Sequence, residues 1–180
     1  RTSASMRNKA LLSLAWISRV PEQKANLMLE GIFSGIEREL HEGSPQNQTL
    51  VLQMMINLRL VNSELKDSFN QRVRDRIIEL LGSGLWFLRN LTTKTMVLIY
   101  VSLEDKLYCV ERGALEHIFD LIRSKNLDLQ EVPMVALLSF LVHPQIPFLL
   151  LEKKGQDCIV EVLYAANEVI RDMAVLLLKA

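Results

Sequence analysis

CVERGALEHIFDLIRS, residues 109–124, is the clearest indication of how this chain folds. Its apolar spacing predicts a short helix that ends at a turn, Arg112-Gly113, followed by a longer amphipathic helix over residues 114–124. Similar glycine turns occur at Glu30-Gly31 and Lys154-Gly155, which places the turn glycines 82 and 42 residues apart. Because 82 is two periods of 41, the spacing indicates one helical unit repeated about four times, as in an α-solenoid.

Units of three helices account for the rest of the chain. The predicted unit boundaries are 1–20 (a last helix only), 21–62, 63–104, 105–143 and 144–180. The predicted short helices are 22–29, 64–70, 105–111 and 148–153. The predicted second helices are 32–41, 71–81, 114–124 and 156–165. The predicted third helices are 6–20, 48–62, 85–104, 131–142 and 169–179. The sequence leaves open whether Asn90-Leu-Thr-Thr93 interrupts the helix at 85–104.

An alignment of the third helices on their apolar residues predicts which positions are equivalent. It brings Ala10, Met54, Val97, Ala136 and Val175 together, at steps of 44, 43, 39 and 39 residues. The sequence runs directly into a predicted helix after residue 5, and it stops within a last helix that is strongly apolar. Solenoids normally end in a repeat with a polar outer face. We therefore expect a piece of a longer array, or ends that pack against further repeats or domains.

Composition and charge limit the class of protein. With 49% hydrophobic residues among 180, the chain can bury a sizeable core and is unlike a disordered segment. Lys+Arg and Asp+Glu both total 21, so no basic excess points to nucleic acid. No apolar stretch approaches the ~18 residues of a membrane-spanning helix. Cys109 and Cys158 lack metal or redox spacing, which favours buried thiols in a soluble intracellular protein, cytoplasmic or nuclear.

The sequence contains no recognisable catalytic, cofactor or metal motif. His41, His117 and His143 lie on separate predicted helices without HxxxH or HExxH spacing. GxSxG, Walker A and GxGxxG motifs do not occur, and the carboxylates are spread singly along polar faces. We therefore expect a protein that is not an enzyme and that holds no cofactor or metal.

Residues 109–124 resemble an armadillo repeat, in which a short helix, a glycine turn and a helix with paired leucine-type residues follow one another. Residues 149–155 with 159–163 are similar, and so are residues 26–32. The resemblance covers nearly the whole chain. It implies an all-α fold, a right-handed α-solenoid of about four to five armadillo-like three-helix repeats with the first and last incomplete. HEAT repeats, which have two helices, are the closest rival, and the short helices favour armadillo.

The resemblance also implies that the third helices line a concave groove for a peptide segment or helix of a partner protein. Armadillo proteins that grip extended peptides carry Trp, then Asn four residues later, on these helices. The matching pairs here are Lys9/Ser13, Gln53/Asn57, Met96/Tyr100 and Val135/Ser139. Only Asn57 fits the pattern, so we do not expect a regular asparagine ladder. The candidate partner-binding residues are Gln53, Asn57, Arg59, Tyr100, Ser139 and His143.

Other large apolar side chains are interpreted mainly as packing residues. The helical spacing predicts that Met54, Met55 and Met96 belong to the core and that Trp16 packs between units. Trp86-Phe87 follows two glycines, and the sequence leaves open whether this pair is buried or forms an exposed anchor.

Two functions fit these expectations. The first is a non-catalytic protein–protein interaction scaffold with its site in the groove. The second is a structural or regulatory solenoid segment of a larger enzyme or multi-subunit assembly. Exposed apolar surface in the groove would favour the first function, and exposed apolar surface at the ends would favour the second.

Overall fold

A computed structural model describes residues 4–29, 31–58, 70–124, 130–143, 145–152, 155–164 and 167–179. These residues form twelve α-helices and no β-strand, which confirms the all-α prediction. The short helices are α2 (Pro21–Leu29), α7 (Leu103–Glu111) and α10 (Ile146–Glu152). The second helices are α3 (Ile32–Glu42), α5 (Gln71–Leu81), α8 (Ala114–Ile122) and α11 (Gly155–Val162). The third helices are α1 (Ala4–Ile17), α4 (Pro45–Leu58), α6 (Trp86–Ile99), α9 (Glu131–Leu141) and α12 (Glu168–Lys179). The predicted short helix 64–70 lies outside the described residues except for its last residue.

The helices pack as two layers. The third helices follow one another in series, α1 on α4, α4 on α6, α6 on α9 and α9 on α12. The second helices form a parallel series, α3 on α5, α5 on α8 and α8 on α11. Within each unit the second helix also packs against the third. Each unit therefore buries its apolar faces against the next unit, as the repeated sequence predicts.

A step of 41 residues relates the second helices. Ile36, Ile77, Ile118 and Ile159 lie at this step, and all four are buried. A β-branched side chain has few rotamers in a helix, so the same residue fills the same space between the layers in each unit. The period that the turn glycines predict is therefore also the period of the core.

The same step relates hydrogen bonds that join the two layers. The last carbonyls of a helix have no partner within it and need one elsewhere. In three units, a side chain at the start of the third helix donates to a carbonyl near the end of the second helix, eight residues earlier. The pairs are Gln48 with Leu40 (3.0 Å), Arg89 with Leu81 (2.6 Å) and Gln130 with Ile122 (2.7 Å).

The predicted alignment of the third helices is wrong in α1, α6 and α12. In α1 the aligned Ala10 is exposed, whereas Met54 is buried. It is right between Met54 and Ala136, which are two steps of 41 apart and both buried. In α6 the equivalent residue is the buried Thr95 rather than the half-buried Val97. In α12 it is the buried Leu177 rather than Val175, which is exposed. The alignment gave weight to apolar residues, whereas α6 places threonines in the core and apolar residues on its surface.

The third helix of the third unit ends earlier than predicted. The prediction was one element over 85–104, but α6 ends at Ile99 and α7 begins at Leu103. Ser102 caps α7, because its hydroxyl accepts the Asp105 N–H at 3.2 Å while the Asp105 carboxylate accepts the Ser102 N–H at 3.1 Å. This reciprocal capping box supplies partners for two N–H groups that a helix start leaves unpaired.

Helix α6 runs unbroken through Asn90–Thr93. Its buried threonine hydroxyls donate to carbonyls four residues earlier, so they need no partner outside the helix. The bonds are Thr92 to Leu88 (2.7 Å), Thr93 to Arg89 (2.9 Å) and Thr95 to Leu91 (2.9 Å).

The turn glycines from which the repeat was predicted have two different roles. Gly31 and Gly113 precede α3 and α8 with φ of +70° and +82°, a left-handed conformation that is strained for residues with a Cβ. Gly155 is instead the first residue of α11, and a Cβ there would lie 2.7 Å from Cζ of Phe119. The last turn therefore needs glycine for close packing rather than for its backbone conformation.

Candidate partner-binding groove

The third-helix layer has a face on which equivalent positions stay accessible in successive units. With the step of 41, one row contains Gln53, Lys94, Val135 and Leu176, and a second row contains Asn57, Leu98 and Ser139. We call these the groove rows. Residues four apart share one face of a helix, so the two rows run side by side across the layer. Every member of the rows is half-buried or exposed.

An apolar cleft of about 320 Å³ opens on this face across three successive third helices. We call it the groove cleft. Its lining is Ile56 of α4, Lys94, Val97 and Leu98 of α6, and Glu131, Val132 and Val135 of α9. Lys94 and Glu131 are its only charged lining residues, and neither forms an ion pair or hydrogen bond with the described part of the chain. The cleft thus offers apolar walls with one charge of each sign.

Gln53 is hydrogen-bonded to Asn57, and Asn57 is hydrogen-bonded to the end of α1. The Asn57 amide nitrogen donates to the Ser18 hydroxyl at 3.0 Å and to the Ala15 carbonyl at 3.3 Å. The Gln53 amide nitrogen donates to the Asn57 side-chain oxygen at 3.0 Å. Both hydrogens of the Asn57 amide are therefore used to join α4 to α1.

The other polar candidates lie in different surroundings. Ser139 is half-buried in the second groove row, and its hydroxyl donates to the Ala136 carbonyl at 2.7 Å. The carbonyl of Ser139 accepts from Nζ of Lys106, whose pKa is lowered by burial. His143 is half-buried beyond the end of α9, and Arg59 lies outside the described residues.

Tyr100 belongs to the core and not to the groove. It is 2% exposed, and its hydroxyl donates to the Arg74 carbonyl at 2.7 Å while the Arg74 guanidinium lies 5.4 Å from its ring centroid. Burial raises the pKa of this phenol far above its usual range. The predicted alignment paired Tyr100 with Asn57, but the step of 41 pairs Asn57 with Leu98. The two-residue error in α6 is the reason for this correction.

Trp16 is more exposed than predicted, and Trp86, whose burial the sequence left open, is also exposed. Trp16 does not pack between units, since it is 66% exposed and the Arg19 guanidinium lies 4.5 Å from its ring centroid. Trp86 is 59% exposed and meets the half-buried Phe87 edge-on, with ring centroids 6.0 Å apart. The predicted core positions of Met54, Met55 and Met96 are confirmed, because all three are buried.

Glu39 and Asn47 form a buried polar pair that the sequence reasoning missed. The Asn47 amide donates to the Glu39 carboxylate at 2.8 Å, and the Asn8 amide donates to the Asn47 oxygen at 3.1 Å. All three line a polar cavity of about 580 Å³. A comparison of positions 41 residues apart could have found this pair, because it shows polar residues where the other units have buried apolar ones. The equivalents of Glu39 are Leu80, Leu121 and Val162, and those of Asn47 are Leu88 and Ile170.

Cys109 and Cys158 are buried free thiols, as predicted. Burial raises the pKa of Cys158 to about 11 and raises that of Cys109 as well. Within the described ranges, no three His, Cys, Asp or Glu side chains are grouped closely enough to hold a metal ion. No helix in that part of the chain is long and apolar enough to cross a membrane.

Comparison with known proteins identifies the fold. No protein-family model and no curated protein matches the chain. A designed armadillo repeat protein in complex with the peptide (KR)4 is similar with a TM-score of 0.86 and 17% identity, over 99% of this chain and 77% of that one. Computationally designed armadillo repeat proteins for modular peptide recognition give 0.79 and 20%, over 93% of this chain and 72% of theirs. The chain therefore has an armadillo-like repeat fold.

Proposed function

We propose that this protein is a non-catalytic interaction scaffold whose groove binds a peptide segment or helix of a partner protein. The observation that carries the proposal is the groove cleft, an apolar depression that spans α4, α6 and α9. The apolar residues of a helix usually face the core, so an apolar patch that stays exposed often marks an interaction site. A concave apolar site with few polar groups is typical of a binding site. Gln53 and Ser139 remain candidate contacts at its margins, whereas Asn57 would act by joining α4 to α1.

The similar designed proteins support a peptide-binding use of this fold, since two of them are described by peptide recognition or a bound peptide. The basic peptide (KR)4 is a poor guide to the partner of this chain. The groove cleft has one acidic residue, Glu131, and the basic Lys94 beside apolar walls. Desolvating several arginines and lysines against such walls would be unfavourable. We therefore expect a partner with apolar anchor residues.

The proposal includes a reducing compartment, the cytosol or nucleus, because both cysteines are buried and no disulfide joins them. It includes no catalytic step, cofactor or nucleic acid. With 21 basic and 21 acidic residues, the chain lacks the overall positive charge that binding to phosphates usually requires.

Affinity capture with matched variants tests the proposal. Val135→Asp places a charge in the groove cleft, and Val160→Asp makes the same change at an exposed position of α11, in the other layer. Both variants should keep wild-type helicity by circular dichroism. A partner protein that wild type and Val160→Asp retain and Val135→Asp loses would support the groove. Equal retention by all three would contradict it.

A second candidate function is a structural or regulatory solenoid segment within a larger assembly. The observation that favours it is the apolar surface of α12. Val175 and Leu178 are exposed there, whereas Met134 and Leu137, one step of 41 earlier, are fully buried by a following helix. Leu178→Asp separates the candidates, because it should abolish partner retention if α12 forms the interface and leave retention unchanged if the groove does.

A further inference from the structure

Among the described residues, the second groove row lacks a repeated side-chain donor that would hold the backbone of an extended peptide. An extended strand exposes backbone N–H and C=O groups, each of which needs a partner when it is buried. The Asn57 amide would be the obvious donor, but both its hydrogens bind Ser18 and Ala15. Its equivalent in α6 is Leu98, which cannot hydrogen-bond, and the Ser139 hydroxyl donates within α9. The second groove row therefore provides no repeated backbone clamp.

This shortage favours a partner that satisfies its own backbone. An unpaired buried backbone group carries an uncompensated desolvation penalty, so several of them against the groove cleft would offset the gain from apolar burial. In an α-helix all but the terminal N–H and C=O groups are bonded internally. A helix can thus present apolar side chains to Ile56, Leu98 and Val135 without leaving backbone groups unpaired.

The dimensions of the third-helix layer also suit a helix. Packed helices lie about 8–10 Å apart, so α4 and α9 on either side of α6 are roughly 16–20 Å apart. A helix with its side chains is about 10–12 Å across. It can therefore lie over α6 with α4 and α9 as walls, and the groove cleft contains residues from all three helices.

We propose that the occupant of the groove is an amphipathic helix of a partner protein, with apolar residues at i, i+3 or i+4, and i+7 seated in the groove cleft. Lys94 and Glu131 contribute charges of opposite sign that the described residues leave uncompensated. The helix accordingly carries an acidic residue toward Lys94 and a basic residue toward Glu131, which sets its direction. The inference rests on the proposed function and narrows it.

Two displayed peptide libraries with the same choice of apolar and charged residues test the proposal on the intact chain. Both use peptides of about 15 residues, the length at which isolated helices become marginally stable. In the first library the apolar positions follow the helical period, with charged residues varied between them. In the second they alternate, and a central proline prevents a helix. Selected peptides are synthesised and their affinities measured for wild type, Val135→Asp, Val160→Asp and Lys94→Glu.

We expect binders from the helical library, with affinity at least about tenfold weaker for Val135→Asp, which corresponds to ~1.4 kcal/mol, and unchanged for Val160→Asp. We also expect selection against Lys94→Glu to replace the preferred acidic residue with a basic one. Groove-dependent binders from the alternating library would overturn the helix inference while leaving the proposed function intact. If neither library yields a binder that Val135→Asp weakens, both the inference and the proposed function fail.

Discussion

The second helices and the third helices of this solenoid repeat to different degrees. One core position of the second helices is isoleucine in all four units, at 36, 77, 118 and 159. In contrast, the first groove row of the third helices contains a glutamine, a lysine, a valine and a leucine at the same step. Packing at this core position requires one shape, whereas the third-helix layer must both stack and present a surface. The difference indicates which layer maintains the fold and which one can specify a partner.

The largest effect on stability should come from the repeated isoleucine. Ile118→Ala leaves a cavity between the layers at a fully buried site, and we expect a loss of about 2–5 kcal/mol in the free energy of unfolding. Urea unfolding followed by circular dichroism measures it. The control is Val142→Ala at an exposed position of the third-helix layer, where a change within about 0.5 kcal/mol is expected. Equal losses of unfolding free energy in the two variants would contradict the larger role in stability given to the second-helix layer.

The next effect concerns the hydrogen bonds between the layers. Gln130 is buried and donates to the carbonyls of Ile122 (2.7 Å) and Ser124 (2.9 Å). Gln130→Met keeps the size of the side chain but leaves these carbonyls without that donor, so unfolding should become easier by about 1–3 kcal/mol. Gln46→Met, at an exposed position of α4, is the matched control. If both variants unfold at the same urea concentration, the side-chain donors are not what joins the layers.

Two glycines of the second-helix layer should respond with opposite signs. Gly113→Ala forces a Cβ into a left-handed conformation at φ +82°, which should cost about 1–2 kcal/mol. Gly35 lies within α3 with open space around it, so Gly35→Ala should stabilise the helix by roughly 0.5–1 kcal/mol. Thermal melts of the two variants would show shifts in opposite directions, and shifts of the same sign would contradict the role given to the turn.

The smallest effect on stability concerns the Cys158 thiol in α11. Because only the thiolate reacts with iodoacetamide, a pKa of about 11 should make alkylation at pH 8 more than about a hundredfold slower in the folded chain than in urea. The burial that raises this pKa favours the neutral thiol, so its contribution to stability is complete below the ordinary thiol pKa and declines as pH rises toward 11. Mass spectrometry of the Cys109→Ser variant, in which Cys158 is the remaining cysteine, measures the rate, and rapid labelling of the folded chain would contradict this burial.

The second-helix layer could be predicted well because its signals are local. The helix Gln71–Leu81 has the predicted bounds, and the turns at Gly31 and Gly113 lie where the glycines place them. Apolar spacing works there because one face of each second helix is buried and the other is polar. The predicted unit boundaries remain predictions, since the short helix expected at 64–70 lies almost wholly outside the described residues.

The third-helix layer was harder to predict because apolar residues lie on both its buried and its accessible faces. Val97 and Leu98 line the groove cleft while Thr92 and Thr95 are buried one turn away, so apolar spacing pointed to the wrong side of α6. The two-residue error that resulted placed Tyr100 in the groove. A constant step of 41 would have avoided it.

The sequence alone determined that this protein is a helical repeat, because glycine turns and apolar periodicity are properties of neighbouring residues along one chain. Only the tertiary structure decided that Asn57 is committed to α1 and that three successive helices form one apolar cleft. These features depend on side chains about 40 or more residues apart in sequence, and on which of two similar helix faces a neighbouring unit covers. Packing between units decides which face is covered, and a pattern of neighbouring residues in the sequence does not show it.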